Sequence, residues 1–460
     1  MRRRNSLTPS VFRPAPSRQP TAALPPLSSS PPPNDPPASP TPRRTAPLSL
    51  TILGSGGSAA VPDIACVTSP STGCACCLDT VKNRRSPNVR GNTGAVLRVP
   101  PREGKEDEGE KTILIDCGKT FREQALKIFP KKGFRRIDTC ILTHHHADAV
   151  DGLDDLRAWT YASAIERTIP IYCTRTTFDF IRAGFPYLVS KAAASGSGAV
   201  PSFEWHVMPD DQPWDVCGVR ILPVPAHHGH FFTRGHPPLI CLGFVIEESV
   251  LYMSDVSYIP EETWTYLSLH LSLPSASGLF PSPSPPAQPL PRLLALLIDC
   301  THPTSPGPSH FALPQAVATA RRLGVRGRTY LTDLGHHYSH QGWVRVGEAL
   351  GRGEVSRAAQ ARARESGGGG AGGGGLRAVP AWRVRREEDS ALGTVTMDGW
   401  DPRVEDHALL VDRALEAVEE WAGGVLPGRW VRPARDGMTI EWTREEGEWD
   451  GGRVWDDEYE

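Results

Sequence analysis

The sequence has no apolar run long enough to cross a bilayer. Its most apolar stretch, Leu290 to Ile298, is about half the ~18 residues that a membrane span needs, and Pro291 and Arg292 interrupt it. The formal net charge of the 460 residues is only −2, so bulk electrostatics favours neither nucleic acid nor a membrane surface as a partner. We therefore expect no membrane association and no general nucleic-acid binding.

Cysteine is sparse outside one cluster. Of ten cysteines, four lie between Cys66 and Cys77, and the others occur singly in apolar runs, as Cys117, Cys140 and Cys300 do. Buried free thiols pack as small hydrophobic groups. With no secretory signal, this pattern indicates a reducing compartment and no disulfide framework. We expect a cytoplasmic protein, with the nucleus or the mitochondrion as alternatives.

Acidic residues are nearly missing from residues 1–47, where Asp35 stands alone among Pro, Ser and Arg. Such a segment cannot build a core, so we predict a disordered tail. The start Met1-Arg2-Arg3-Arg4 resembles a mitochondrial transit peptide. The dense prolines argue against the amphipathic helix that such a peptide needs.

One folded domain is predicted after this tail. The 45 prolines and 44 glycines are clustered, which is typical of flexible linkers and loops. The predicted organisation is a domain over residues 48–445, flexible insertions at about 187–202, 268–291 and 351–375, and an acidic tail over residues 446–460.

A glycine-rich turn, Gly54-Ser55-Gly56-Gly57-Ser58, ends the first strand-like run, Leu48 to Leu53. It lacks the lysine and the following Ser or Thr of a phosphate-binding P-loop. We therefore interpret it as a tight turn that lets the backbone approach a metal site.

Three consecutive histidines follow the strand-like run 138–142. The carboxyl end of a strand is where α/β sheets usually place chemistry. Because residues i and i+2 of an extended segment point the same way, His144 and His146 can bind one ion, and His145 is expected to turn away. Asp148 lies two residues further along the chain and can reach a second ion.

Further candidate ligands also follow strand-like runs. His227 or His228 is expected to supply the third nitrogen to the first ion. Asp255 ends an apolar run, where a carboxylate bridging two ions is expected, although a turn or cap aspartate would look alike. His336 and His337 begin a third histidine cluster.

A separate site is predicted from cysteines. Three thiolates, from Cys66, Cys74 and Cys77, with one distant histidine would make a closed tetrahedral zinc site, which is structural rather than catalytic. A redox pair is the alternative, but the thioredoxin-like βαβ context is missing. Cys76 could replace Cys74 as a ligand.

The order of these motifs resembles the metallo-β-lactamase fold superfamily. The chain is most similar to one branch, the phosphoribosyl cyclic phosphate phosphodiesterases of bacterial phosphonate breakdown and their fungal relatives. The shared motifs run in order along the chain: the glycine-rich turn, Val61-Pro62 followed by Cys66, Cys74-x-x-Cys77, Arg84 to Pro87, His144-x-His146-x-Asp148, Ser254-Asp255, Asp299 to Pro303, His337-x-x-His340, and Asp436 to Met438.

The resemblance implies an α/β fold, a four-layer αββα sandwich with metal ions at the edge between its two sheets. It also implies three ligand sets. A first catalytic ion, Zn²⁺ or Mn²⁺, would be held by His144, His146 and His228; a second by Asp148, a bridging Asp255 and His337 or His336; and a structural Zn²⁺ by Cys66, Cys74, Cys77 and His340.

One position departs from the family pattern, His-x-His-x-Asp-His. Its last histidine is replaced by Ala149 in this chain. The second ion loses a nitrogen ligand unless His336 compensates. The resemblance is therefore compatible with either one or two catalytic ions.

The expected activity is hydrolysis of a small, cyclic or linear, phosphodiester by a metal-bound hydroxide. Asp148 and Asp255 act at the ions, and His302 is the candidate general acid for the leaving alkoxide. Hydrolysis of a thioester, a lactone or a nucleic-acid 3′ end is the alternative within enzymes, and a catalytically impaired zinc-binding scaffold is the alternative outside them. The sequence is also compatible with a homodimer.

Two polar residues have two interpretations each. Asp116 follows an apolar run and could orient a metal-bound histidine or merely occupy a turn. His302, in Cys300-Thr301-His302-Pro303, could donate a proton or be a hydrogen-bonded loop histidine.

Overall fold

The computed structural model describes residues 43–69, 73–195, 200–229, 237–271, 293–325, 327–365, 397–422, 428, 430–443 and 453–459. Residues from 43 onward belong to one compact unit. Three predictions lie wholly or largely outside the described residues: the tail up to residue 42, the insertion at 268–291 from residue 272 onward, and the glycine-rich part of 351–375 from residue 366 onward.

The described residues contain strands and helices in a mixed order. The strands are β1 (Leu48–Gly54), β2 (Gly94–Val99), β3 (Lys111–Ile115), β4 (Thr139–Ile141), β5 (Ile169–Cys173), β6 (Phe203–Val207), β7 (Trp214–Val216), β8 (Val219–His227), β9 (Ile240–Ile246), β10 (Val250–Met253), β11 (Ala295–Asp299), β12 (Arg328–Thr332), β13 (Trp430–Pro433), β14 (Thr439–Thr443) and β15 (Arg453–Asp456). The helices are α1 (Ile64–Thr68), α2 (Ala75–Lys82), α3 (Phe121–Lys132), α4 (Ala147–Val150), α5 (Arg157–Thr160), α6 (Arg175–Gly184), α7 (Pro186–Val189), α8 (Glu261–Leu271), α9 (Leu313–Arg322), α10 (His340–Arg352), α11 (Arg357–Glu365) and α12 (His407–Trp421).

The strands form two mixed sheets. The first has eight strands in the order β15-β14-β1-β2-β3-β4-β5-β6, and the second has seven in the order β13-β12-β11-β10-β9-β8-β7. Strands β3 to β6 run parallel in the first sheet, and β10 to β13 do so in the second. The remaining neighbours pair antiparallel, for example β1 with β2 and β8 with β9.

Each sheet is covered on both faces. In β2, Leu97 packs into a core cluster shared with the second sheet, whereas its neighbour Val96 packs into the cluster under α3. In β11, Leu297 belongs to the shared cluster and Leu296 to the cluster under α9, α10 and α12. This alternation follows the two-residue period of a strand, and continuous apolar runs are typical of strands buried on both faces. The layers are helix, sheet, sheet and helix, which confirms the predicted αββα sandwich.

The predicted boundaries need three corrections. Strand β15 lies within the predicted acidic tail, where it pairs with β14 and buries Asp456. Helix α7 overlaps the predicted flexible insertion at 187–202, and helix α11 lies within the one at 351–375. None of the described helices is both long enough and apolar enough to cross a membrane.

The topology brings several strand ends together. The carboxyl ends of parallel strands meet at one edge of a sheet, and this edge is where ligands bind in α/β proteins. His144 follows β4, Asp255 follows β10, Asp299 ends β11 and Asp333 follows β12. His228 comes directly after β8, so five polar side chains from both sheets converge on one region.

Candidate metal centre

Three histidines from the two sheets form one group. Ring nitrogens of His144, His146 and His228 lie within 4.8 Å of one another. His146 Nδ1 is 3.1 Å from His228 Nε2. Burial lowers the pKa of His144 to about 3 and that of His146 to about 4, so both rings are neutral near pH 7 and keep a lone pair for an ion. The structure thus brings together the three residues predicted for the first ion.

Two hydrogen-bond relays set the ring tautomers. Buried Asp116 accepts the Thr143 backbone N–H at 2.8 Å and the Thr143 hydroxyl at 2.9 Å. Since that hydroxyl gives its proton to Asp116, its oxygen accepts from His144 Nδ1, 2.9 Å away, and His144 Nε2 keeps its lone pair. Nε2 is buried and has no hydrogen-bond partner among the described residues. Asp116 therefore orients a candidate ligand, the first of its two interpretations.

His228 is held in a similar way. Its Nδ1 donates to the backbone carbonyl of Ser309 at 2.8 Å, so its Nε2 also keeps a lone pair. That Nε2 lies 3.8 Å from Asp255 Oδ1. Because His227 ends strand β8 and lies against Tyr258, the structure selects His228 of the two candidates.

Asp255 completes the donor set. It is buried, and its Oδ1 has no hydrogen-bond partner among the described residues. Although burial opposes its ionisation, electrostatic interaction with the neighbouring imidazoles of His144 and His228 lowers the pKa of Asp255 to about 2. Buried oxygen and nitrogen atoms without partners are costly unless something binds them. The residues present therefore fit a divalent cation.

Sequence patterns missed two neighbours of this set. Cys241 on β9 lies beside His144, with its Sγ 3.6 Å from His144 Nδ1, and could join a donor set with His144 and Asp255. His310 lies beside His228, with ring centroids 4.9 Å apart. Neither is part of a histidine cluster, so no local signal marked them.

His310 bridges two buried carboxylates. Its Nδ1 lies 2.9 Å from Asp299 Oδ2 and 2.6 Å from Asp333 Oδ2. Burial opposes its protonation, but the charges of Asp333 and Asp299 raise the pKa of His310 well above its ordinary value. The rule that found Asp255, an aspartate at a strand end, would also have found both of these aspartates.

The structure corrects the ligands predicted for a second ion. Burial, reinforced by the charge of Asp255, raises the pKa of Asp148 to about 6. Among the described residues, no group of three close donors includes Asp148 or His337. His336 turns toward the cysteines, and the His337 ring lies against that of His336, tilted by 47° with ring centroids 4.0 Å apart. Neither histidine replaces the nitrogen lost at Ala149.

Cys66, Cys74 and Cys77 form the second candidate site with His336. The Sγ atoms of Cys74 and Cys77 lie 3.6 and 3.5 Å from His336 Nδ1. A sulfur and a nitrogen bound tetrahedrally to Zn²⁺ at about 2.3 and 2.0 Å are about 3.5 Å apart. A hydrogen bond from Cys77 is the largest effect that lowers the pKa of Cys74, to about 3. Burial raises that of Cys76 to about 12, so Cys76 stays a thiol.

His340 does not join the cysteines as predicted. Ser339 caps helix α10 by accepting the Gly342 N–H at 3.1 Å, and this places His340 in the first helical turn. There, His340 Nε2 pairs with the Tyr459 hydroxyl at 3.1 Å. The helix start therefore turns this side chain away from the site that His336 occupies.

His302 corresponds to the second of its two interpretations, the hydrogen-bonded loop histidine. Its Nδ1 accepts the backbone N–H groups of Thr304 and Ser305 at 3.3 and 3.2 Å, so its proton lies on Nε2 and points to the Tyr338 oxygen, 2.8 Å away. Burial lowers the pKa of His302 to about 4. Neutral and with both nitrogens bonded, it is a poor general acid near pH 7, which corrects the expectation that it donates the proton.

Residues 111–333 match the family described as a β-lactamase superfamily domain. This range contains the three-histidine group, Asp255 and the bridge around His310. The cysteine cluster has all of its members outside the range.

Two curated proteins and one solved structure illustrate the similarity. The chain is 27% identical over 286 residues to an octanoyltransferase of Porphyromonas gingivalis, covering 62% of this chain and 46% of that protein. It is 30% identical over 119 residues to a ribonuclease Z of Bradyrhizobium diazoefficiens, covering 26% of this chain and 37% of that protein. It thus spans less than half the length of either relative. A diphosphatase from the PhnP family has 25% identity and a TM-score of 0.46, covering 65% of this chain and 91% of that one. The family match, which covers just under half of the chain, assigns residues 111–333 to the β-lactamase superfamily.

Proposed function

We propose that the protein is a metal-dependent hydrolase of a small, cyclic or linear, phosphodiester. The observation that carries the proposal is the convergence of His144, His146, His228 and Asp255. Two atoms of this set, His144 Nε2 and Asp255 Oδ1, are buried and have no hydrogen-bond partner among the described residues. Three neutral imidazoles and one carboxylate leave a bound Zn²⁺ or Mn²⁺ with one uncompensated positive charge. Such a centre attracts an anionic diester.

A divalent cation held there lowers the pKa of a bound water toward about 7 and withdraws electron density from phosphoryl oxygens. The chain's own residues supply orientation. The Asp116–Thr143 relay holds the Nε2 lone pair of His144 toward the centre, and the Ser309 carbonyl does the same for His228. Because these side chains are locked before substrate arrives, little reorganisation is needed during the reaction.

His310 is the proposed proton donor for the leaving alkoxide. Its ring is anchored by two carboxylates through Nδ1, so Nε2 is the nitrogen that can serve a substrate. Its side chain is 24% exposed, so part of the ring is accessible to solvent. A positioned acid of this kind contributes about 10²- to 10⁴-fold in rate.

The names of two relatives bear on the substrate. Ribonuclease Z denotes an enzyme that cleaves RNA phosphodiesters, whereas octanoyltransferase denotes acyl chemistry. The same metal centre can serve both types of ester. The charge on the centre and on His310 favours the phosphodiester, and acyl thioesters are the competing class.

The test is turnover with parallel metal analysis. Purified protein, loaded with Zn²⁺ or Mn²⁺, is assayed on a chromogenic phosphodiester, a cyclic ribose phosphodiester, a thioester and a 3′-extended RNA. We expect the purified protein to hydrolyse the small diesters. His146→Ala should lose this hydrolysis and about one equivalent of bound metal. Cleavage of the thioester alone would show that the substrate is an acyl thioester and not a phosphodiester. If the protein binds metal at the three histidines but cleaves no substrate of the panel, the enzyme proposal is refuted. The alternative of a catalytically impaired zinc-binding scaffold is then supported.

A further inference from the structure

One short segment, residues 333–340, contacts both candidate metal sites. It begins at Asp333, which lies against His310 beside the three-histidine group. Three residues later, His336 points its Nδ1 at the cysteine thiols. Tyr338 then contacts His302. Any shift of His336 therefore acts on the residues next to the proposed proton donor.

The segment is anchored along its length. Leu334 N–H donates to the Ser55 carbonyl at 2.9 Å, and the guanidinium of buried Arg90 bonds the carbonyls of Gly335 and Tyr338. Between these anchors, the His336 carbonyl lies 3.1 Å from the Sγ of Cys74. The described contacts of His336 in the middle of the segment are thus with the cysteine cluster and His337.

Asp333 has little freedom to adjust. Its φ is +57°, a left-handed conformation that costs energy in a non-glycine residue and persists only when its surroundings impose it. A Cβ on Gly57, in the glycine-rich turn, would come within 2.7 Å of Asp333 Oδ1. The turn therefore packs directly against this carboxylate, and the backbone cannot move without displacing it from His310.

We propose that the cysteine–His336 cluster, holding Zn²⁺, is a positioning site for the reaction. By fixing His336, the cluster fixes Asp333 three residues away, and through Asp333 the orientation of His310. The inference rests on the proposed function for its kinetic consequence. Because no contact among the described residues joins the cluster to the three-histidine group, loss of its ion should lower kcat with little change in KM or in the metal content of the other site.

The experiment compares three variants of the full-length protein. His336→Ala removes the ligand, His336→Cys substitutes a thiolate that can restore a four-coordinate site, and His337→Ala is the control, since His337 is adjacent but outside the cluster. Zinc is counted by mass spectrometry, and the cobalt-loaded protein is examined for its thiolate charge-transfer band. Hydrogen exchange of the 328–342 peptide reports the position of the segment without any substrate.

We expect His336→Ala to lose one equivalent of zinc and the charge-transfer band, to exchange faster in the 328–342 peptide, and to lose about 10- to 100-fold in kcat, the usual effect of disturbing an orienting group. KM should stay within about threefold. His336→Cys should regain zinc, protection and most of kcat, and His337→Ala should match the wild type.

The proposal is overturned if His336→Ala retains its zinc, or if it loses zinc with kcat and exchange unchanged. Failure of His336→Cys to recover kcat despite regained zinc would also overturn it. A wild-type protein without turnover would end the proposed function instead, while zinc content and exchange would still decide whether the cluster holds the segment.

Discussion

The relay from Asp116 to His144 makes a sharp prediction for Asp116→Asn. The carboxylate accepts both Thr143 protons, and the Thr143 oxygen then accepts from His144 Nδ1. An asparagine can still accept the backbone N–H through its oxygen, but its NH₂ group donates toward the hydroxyl. Thr143 must then donate to His144 Nδ1. The ring proton moves to Nε2, where it occupies the lone pair that an ion needs.

The expected loss of metal affinity in Asp116→Asn follows from the change in hydrogen bonding at His144. One orienting contact is reversed, and the tautomer must be restored before metal binds. Changes of this kind cost about 10- to 100-fold in metal affinity, or about 1.4 to 2.8 kcal/mol. The substituted amide remains hydrogen-bonded, so the loss of unfolding free energy should stay near the ~1 kcal/mol of a single altered hydrogen bond.

The assay is competition for the metal of the three-histidine site with a chromogenic chelator. The zinc of the cysteine cluster is counted separately after its thiols are blocked. Thr143→Ser is the matched control, because it keeps the hydroxyl and should bind metal within about threefold of the wild type. Asp116→Asn binding metal as tightly as Thr143→Ser would refute the relay.

Three further predictions concern histidines and the missing ligand. His310→Asn should lower kcat by about 10²-fold or more, whereas His302→Asn should change it by less than about tenfold; the reverse order in steady-state kinetics would restore His302 as the acid. Ala149→His should not add an equivalent of bound metal, because Ala149 is buried in the apolar cluster under α3 and overpacking costs about 1 to 3 kcal/mol; metal analysis and urea unfolding test this, and a second bound equivalent would contradict it. Burial lowers the pKa of His340 to about 3, so the folded state binds fewer protons than the unfolded state, and stability falls as the pH drops from about 6.5 toward 3. Between pH 7 and 5, His340→Gln should therefore lose about 2 kcal/mol less unfolding free energy than the wild type in urea titrations; equal losses would show that His340 is not responsible.

Local pattern determined much of the first site. His144 and His146 share a face because alternate residues of an extended segment point the same way, and Asp255 follows an apolar strand in a recognisable position. The layers of the sandwich were implied by the resemblance of the motifs to a known superfamily. The continuous apolar strands agree with it, because such strands require cover on both faces. Each of these signals can be recognised from a few consecutive residues.

Tertiary structure decided the rest. His310 is a loop residue without periodicity, and only the meeting of β11 and β12 places it between Asp299 and Asp333. The choice of His336 over His340 depends on the Ser339 cap, which begins α10 and rotates His340 toward Tyr459. Residue spacing alone could not separate these two histidines, because a side chain's direction depends on where the helix starts. The sequence by itself determined which residues could bind an ion; the packing of the two sheets and the start of one helix decided which of them meet.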